Sequence, residues 1–263
     1  METDPFAALA PFLELGRDAV FSAFAVFLRV GAAVALLPGF GENALPMRVK
    51  LGGALAFAVI VWPAVSPLAR LAGAGAAELA LTFAAEAVAG ALIGLSARLL
   101  VMALQTAGSV AAQSTSIAQM FGEGLTADPQ PAYANVLAVA GIALAFALGL
   151  PGYAAAAIVE SYALIPFGGF ALGEDVASWG VARVAAAFAL AMSIALPFVI
   201  ASFAYNLALG AINKAMPQLM VAFVGAPAIT AGALLLMGLV TPAALDAWGV
   251  EFARTLAGPL EAP

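Results

Sequence analysis

The sequence predicts an all-α integral membrane protein built from about six apolar, partly kinked helices. Three observations predict this. Hydrophobic residues make up 65% of the chain and charged residues only 9%, against roughly 25% charged in an ordinary soluble domain. A soluble fold could not hide so much apolar surface behind so few charges. The apolar residues also come in long runs rich in Ala and Leu, not in the ten-residue alternation of a membrane β-barrel. Finally, Ala and Gly are frequent, as in Gly90-Ala91-Leu92-Ile93-Gly94. Small side chains let helices approach closely in lipid, where dispersion must replace the hydrophobic drive.

The expected organisation is a single membrane domain over 1–263. Its N-terminal segment, 1–18, opens on the acidic Met1-Glu2-Thr3-Asp4-Pro5, with neither the basic start of a secretory signal nor a myristoylation glycine. The apolar segments are therefore expected to direct insertion themselves. A first helical half, 19–104, holds apolar segments at Ala19–Phe40, Leu51–Ala69 and Leu79–Leu104. A polar, plug-like loop over 105–131 follows. A second helical half, 132–240, holds Tyr133–Leu150, a shorter piece at Gly152–Pro166, then Val184–Ile212 and Leu219–Val240. The tail, 241–263, is weakly amphipathic and suits packing on neighbours or an interface. Pro63, Pro197 and Pro227 each remove a helical hydrogen bond in mid-segment, so they are expected to break or bend their helices.

Composition excludes several chemistries. The chain has no Cys and no His, which removes thiol catalysis, disulfides, Cys-held metals and the commonest general base. A net charge of −6 with scattered basic residues does not suit nucleic acid, which needs a basic patch. The aspartates Asp4, Asp18, Asp128, Asp175 and Asp246 lie outside the apolar segments or at their edges, and so do Lys50 and Lys214. No intramembrane aspartyl or Ser–Lys protease site is therefore expected. Gly73-Ala74-Gly75 lacks the context of a phosphate loop and reads as a linker. No enzyme, metal or cofactor is expected.

Four charges do fall inside apolar segments: Arg29, Glu86, Arg98 and Glu160. A lone charge at the bilayer centre costs about 2.5–3.5 kcal/mol on insertion scales, so each needs a partner or a path. Pairing of Arg29 or Arg98 with Glu86, within or between subunits, is one reading; an ion or proton path is the other. Glu86 and Arg98 lie about 18 Å apart along a helix and cannot pair within one straight helix. The basic residues divide three against four between alternate loops, too even for the positive-inside rule to orient the chain. Insertion with help from partners, or helices that do not all cross in a zigzag, would explain that balance. Between the halves, Gln105 to Gly124 is rich in small uncharged polar residues. At membrane depth such a loop is tolerated only where protein buries it or where it lines a wet cavity. Glycines 108, 122 and 124 allow tight bends there. An ordinary connecting loop remains the alternative.

Several blocks together resemble a known family. They are Phe27-Leu28-Arg29-Val30, Pro38-Gly39-Phe40-Gly41 and Asn43 to Leu51. They continue through Gly108 to Gly124, Asp128-Pro129, Ser161-Tyr162, Pro166 and Gly168. The last are Ala195-Leu196-Pro197-Phe198, Asn206 to Gly210, Met216 to Val221 and Gly225-Ala226-Pro227. Their order and spacing resemble FliR, the export-gate membrane family homologous to the SctT component of virulence type III secretion systems. Leu219-Met220 departs from the residue, such as Asn, expected after Pro217-Gln218.

The resemblance implies a non-catalytic role in a gated channel for unfolded flagellar proteins. It implies stacked helical hairpins in a helical assembly with FliP and FliQ, with FlhB wrapped round it and FlhA as a further neighbour. It implies a multi-pass protein of the bacterial inner membrane, within the flagellar basal body. It also implies a channel plug, which falls by position on Gln113, Ser114, Thr115, Ser116, Ile117, Ala118, Gln119, Met120, Phe121 and Gly122. Met120 and Phe121 would seal the lumen; Gly108, Gly122 and Gly124 would act as hinges. An SctT-like virulence subunit is the nearest alternative. A secondary transporter using Glu86 or Glu160 as proton carrier, and a pore-free membrane scaffold, are the others.

Overall fold

The computed structural model describes residues 10–42, 45–65, 75–114, 131–170, 173–216 and 221–261, with the side chains of 10–15 and 221–227 outside that set. Among the described residues every regular element is a helix. They are α1 (Ala10–Leu36), α2 (Met47–Val65), α3 (Ala76–Ser114), α4 (Ala132–Ala147), α5 (Leu150–Leu164), α6 (Gly173–Ala215) and α7 (Val221–Ala257). Five are long and apolar enough to cross a membrane, and the bent pair α4–α5 forms a sixth candidate span. The protein is thus a multi-pass, all-α membrane protein.

Contacts divide the chain into two compact units. The first comprises Met1–Arg98, Gly149–Ala182 and Arg254–Pro263; the second comprises Leu99–Leu148 and Arg183–Ala253. In the first unit α1 packs on α2 and α5, and α2 packs on α5. The buried residues of α1 recur as Ala25-Val26, Arg29-Val30, Ala33-Val34 and Leu37, the spacing of one helix face. Those of α2 recur as Ala54, Phe57-Ala58, Val61 and Val65. The Pro38 to Gly41 block folds as a tight turn between the two helices. Gly39 takes the left-handed φ of 81°, and the Gly41 amide donates to the Leu37 carbonyl at 2.8 Å. Phe40 then meets Phe57 edge-on at 5.6 Å.

In the second unit, α3 runs through Gln105 to its end at Ser114, ten residues into the stretch read as a loop. The reason is a buried helical stripe: Leu104, Ala107, Ala111 and Ala112 are all covered. Gly108 sits on that stripe, where a Cβ would overlap the backbone of Ala134. It is a close-packing residue inside a helix and not a loop hinge. The tail is likewise a continuation of α7, not a separate amphipathic segment. Ala244, Trp248 and Phe252 are buried four residues apart. Trp248 stacks on Phe252 at 4.7 Å, and its indole N–H donates to the Leu100 carbonyl at 2.8 Å.

Helix breaks do not follow the prolines. Pro63 lies inside α2, Pro197 lies inside the 43-residue α6, and α7 spans position 227. The break between α4 and α5 falls instead at Gly149, whose φ of 90° is left-handed. A left-handed residue ends one helix sharply, and Pro151 in the first turn of α5 suits a helix start. The long helices outrun their apolar stretches. At 1.5 Å per residue α6 extends about 65 Å, twice the roughly 30 Å hydrocarbon core.

Candidate functional site: a buried charge cluster and the root of the central segment

The first unit holds a dry polar cluster around Arg29 and Glu86, both 0% exposed. Its geometry begins with a glycine. On α3, Gly90 faces the backbone of α1, where a Cβ would overlap the Arg29 carbonyl. One turn later, a Cβ at Gly94 would lie 2.5 Å from the Ala33 carbonyl oxygen. The two helices therefore run close enough for the Arg29 side chain to reach Glu86, one turn before Gly90.

The guanidinium of Arg29 donates from Nη2 to Glu86 Oε1 at 3.1 Å. Its Nε lies 2.9 Å from Oε2, an electrostatic contact rather than an aligned hydrogen bond. Nη1 donates to Ser161 Oγ at 3.0 Å and to the Ile165 carbonyl at 3.1 Å, and Nη2 also reaches that carbonyl. The guanidinium carbon lies 3.7 Å from the centre of the Tyr162 ring, a cation–π contact. Both terminal nitrogens and one face of the guanidinium are thus engaged, and Nε is held by charge alone.

Glu86 is satisfied as fully. Tyr162 donates its hydroxyl to Oε2 at 2.9 Å, and the Gly168 amide donates to Oε1 at 2.9 Å. Gly168 can do so because it occupies the third position of a tight turn, with φ 72°. The Gly169 amide closes that turn on the Pro166 carbonyl at 2.8 Å. The turn needs glycine, and Thr82 lies 3.2 Å from where its Cβ would stand. Arg29 meanwhile caps the end of α5 by binding the Ile165 carbonyl, a group that helix geometry leaves open. Chemically the cluster is an anchor: it ties α1, α3, α5 and the Pro166–Gly169 turn together through one buried ion pair and its hydrogen bonds.

The other two charges lie elsewhere. Arg98 pairs with Glu42 at the partly exposed end of the α1–α2 turn. Glu160 stands exposed on α5, and among the described residues no ion pair or hydrogen bond reaches it. Ser161, Tyr162, the Ile165 carbonyl and Gly168 were not read from sequence as partners of the charges. Their grouping within eight residues, in a block already noted for its resemblance, was the available signal.

In the second unit the structure defines the root of the central segment. Gln113 is exposed and Ser114 half-buried at the end of α3. The Ser202 hydroxyl of α6 donates to the Ser114 carbonyl, and Asn206 Nδ2 donates to Ser202 Oγ at 3.3 Å. Phe198, in the Pro197 block, packs on Tyr133 at 5.6 Å. The remaining expected plug residues, Thr115 to Gly122, and the hinge Gly124 lie outside the described residues. Pro227 is within α7, but its side chain also lies outside them.

Comparison with known proteins places the chain. The family model described as bacterial export proteins, family 1, matches residues 20–255. The flagellar biosynthetic protein FliR of Caulobacter vibrioides is 35% identical over 215 residues, 79% of this chain and 83% of that protein. The proteins of the same name from Aquifex aeolicus and Pectobacterium carotovorum are 26% and 25% identical, each over 82% of this chain. Those relatives cover 83% and 82% of their own lengths, so the similarity is that of whole membrane domains and not of one motif. With the match extending from α1 to the last turn of α7, the chain belongs to the FliR family of bacterial export proteins.

Proposed function

We propose that this protein is a core subunit of a flagellar type III export gate, seated in the inner membrane within the basal body. It joins FliP and FliQ homologues in a channel for unfolded flagellar proteins, with FlhB and FlhA as neighbours. The carrying observation is the 35% identity to a flagellar biosynthetic protein over 79% of the chain. The role is mechanical and not catalytic. Unfolded substrate passes through the shared channel, and the closed state must hold back ions. Residues 115–122, rooted at Ser114, supply the seal, with Met120 and Phe121 as its apolar contacts and Gly122 and Gly124 as its hinges. Opening is a population shift biased by contacts that favour the open arrangement.

The test is co-expression of the chain with FliP and FliQ homologues from the same cell, affinity purification through this chain, and native mass measurement. A stable complex holding both partners is expected. A monodisperse chain that recovers neither partner would refute the reading.

A further inference from the structure

A cavity in the first unit takes no part in the Arg29–Glu86 anchor, although it shares a wall with it. Its volume is about 350 Å³, and its lining includes Leu92 of α3, Ile165 just after α5, Phe170, Asp175 and Trp179 of α6, and Leu260 of the tail. That volume is in the range of small-molecule sites. Two of its walls are fixed by hydrogen bonds. The Ile165 carbonyl accepts from both terminal nitrogens of Arg29. The Trp179 indole N–H donates to the Pro259 carbonyl at 3.3 Å, which ties the turn that carries Leu260 to α6. The Glu261 amide closes that turn on the Gly258 carbonyl at 3.2 Å. The hollow is thus built into the fold before anything enters it.

The lining selects a charge. Among the described residues its one ionic group is Asp175, and no basic side chain joins it. Only the Asp175 backbone is engaged, by the Ser178 hydroxyl at 3.0 Å; among the described residues no hydrogen bond or ion pair takes up its carboxylate. An acid in the first turn of α6 complements the helix dipole. That accounts for the acid but not for its setting, a hollow with two aromatic rings. Ring faces attract cations, a carboxylate attracts them more strongly, and the aliphatic walls exclude water. An anion would be repelled. A neutral acceptor would find the indole N–H already engaged by Pro259.

We infer that this cavity is a binding site for an organic ammonium with an apolar body. The cationic head sits at Asp175 and the aromatic rings, and the apolar part lies against Leu92, Ile165 and Leu260. The inference is independent of the export-gate reading. A lipid amine headgroup and a free alkyl- or arylalkylammonium share this chemistry, and the test distinguishes them.

The probe is phenylethylammonium, titrated by calorimetry into the full chain in an uncharged maltoside detergent. Saturable binding is expected. 2-Phenylethanol keeps the ring without the charge and should bind about tenfold or more weakly, the loss of a charge-assisted contact. Asp175→Asn should raise the probe's Kd by about tenfold or more for the same reason, and Asp175→Glu should largely preserve binding. Phe170→Leu should weaken the ammonium by about two- to fivefold, the worth of one exposed cation–π contact, and the alcohol less. Asp175 is exposed, so its Asn variant should melt like wild type by circular dichroism. If it does not fold, the ammonium–alcohol comparison on the unaltered chain decides alone. Three results would overturn the inference: heat that matches partition into empty detergent, equal affinity for ammonium and alcohol, or an unchanged Kd in a folded Asp175→Asn. Short-chain lipids then identify the source. Displacement of the probe by dihexanoyl phosphatidylethanolamine and not by dihexanoyl phosphatidylglycerol supports the site with a lipid amine as its occupant. Displacement by neither supports it with a free organic cation. Equal displacement by both would overturn it, because acyl chains and not the ammonium would then be what the cavity takes.

Discussion

Removing the charge of Glu86 should cost more than any other single change in the first unit. Glu86→Gln preserves volume and keeps one oxygen to accept from Tyr162 or Gly168, so it isolates the charge. What remains is Arg29, 0% exposed, with its counter-ion gone. At a separation near 4 Å and an effective dielectric of about 20, the lost attraction is about 4 kcal/mol. Mutational experience with half-broken buried pairs gives about 3–5 kcal/mol. The carbonyl of Ile165 and the hydroxyl of Ser161 still accept from Arg29, which argues for the lower half of that range. Folded-to-unfolded ratios should then fall by roughly two to three decades. The assay is SDS-titrated unfolding in detergent followed by Trp fluorescence, for the wild type, Glu86→Gln, and the double variant Arg29→Met/Glu86→Gln. The double variant should regain about 1–3 kcal/mol relative to Glu86→Gln, because an apolar pair is better than a lone buried charge. A Glu86→Gln chain within about 1 kcal/mol of wild type would refute the reasoning, since it would mean that Arg29 is not held in a dry site.

Other changes follow from the same geometry. Gly90→Val should separate α1 from α3 and cost at least about 2–3 kcal/mol by overpacking; cross-linking yield between cysteines introduced on the two helices would report it. Gly149→Ala should cost about 1–2 kcal/mol, because an L side chain resists the left-handed conformation, with the loss read in the same SDS titration. Trp248→Phe should cost about 1–3 kcal/mol by leaving the buried Leu100 carbonyl without its indole donor, and thermal unfolding monitored by circular dichroism would measure it. Deleting residues 115–122 should leave partner recovery intact and let ions leak through the assembled complex; an unchanged membrane potential in such cells would remove the plug assignment.

Much of the fold was legible because lipid simplifies the code. Segments such as Leu79–Leu104 announce themselves by length, and Gly90 with Gly94 marked a close helix contact. The partner in that contact was not legible: 57 residues separate Arg29 from Glu86, and one sequence does not say which acid meets which base. Gln105 to Ser114 was misread because polarity was weighed above periodicity. Its alanines at 107, 111 and 112 continue the buried stripe that begins before Leu104, and that signal was present. A proline removes one helical hydrogen bond but need not end a helix, and α2, α6 and α7 run on through theirs, whereas the left-handed φ at Gly149 ends α4. Glu160 was visible as a charge in an apolar run, but only packing could show that it points away from Arg29.

The division of the chain into units also bears on how the molecule is made. The first unit is assembled from Met1–Arg98, Gly149–Ala182 and Arg254–Pro263, and the second from the two stretches that lie between these in sequence. Trp179, early in α6, donates its indole N–H to the Pro259 carbonyl at 3.3 Å, a bond that cannot form until the last turn has left the ribosome. Arg29 likewise waits through more than 130 residues of synthesis for Ser161 and Ile165. During that interval Arg29 has only Glu86, made 57 residues after it, and lacks its other partners, which leaves α1 open to mispairing. Insertion factors that shelter the early helices, and a translation rate that shortens the wait, would therefore govern the yield of this protein as strongly as its final stability does.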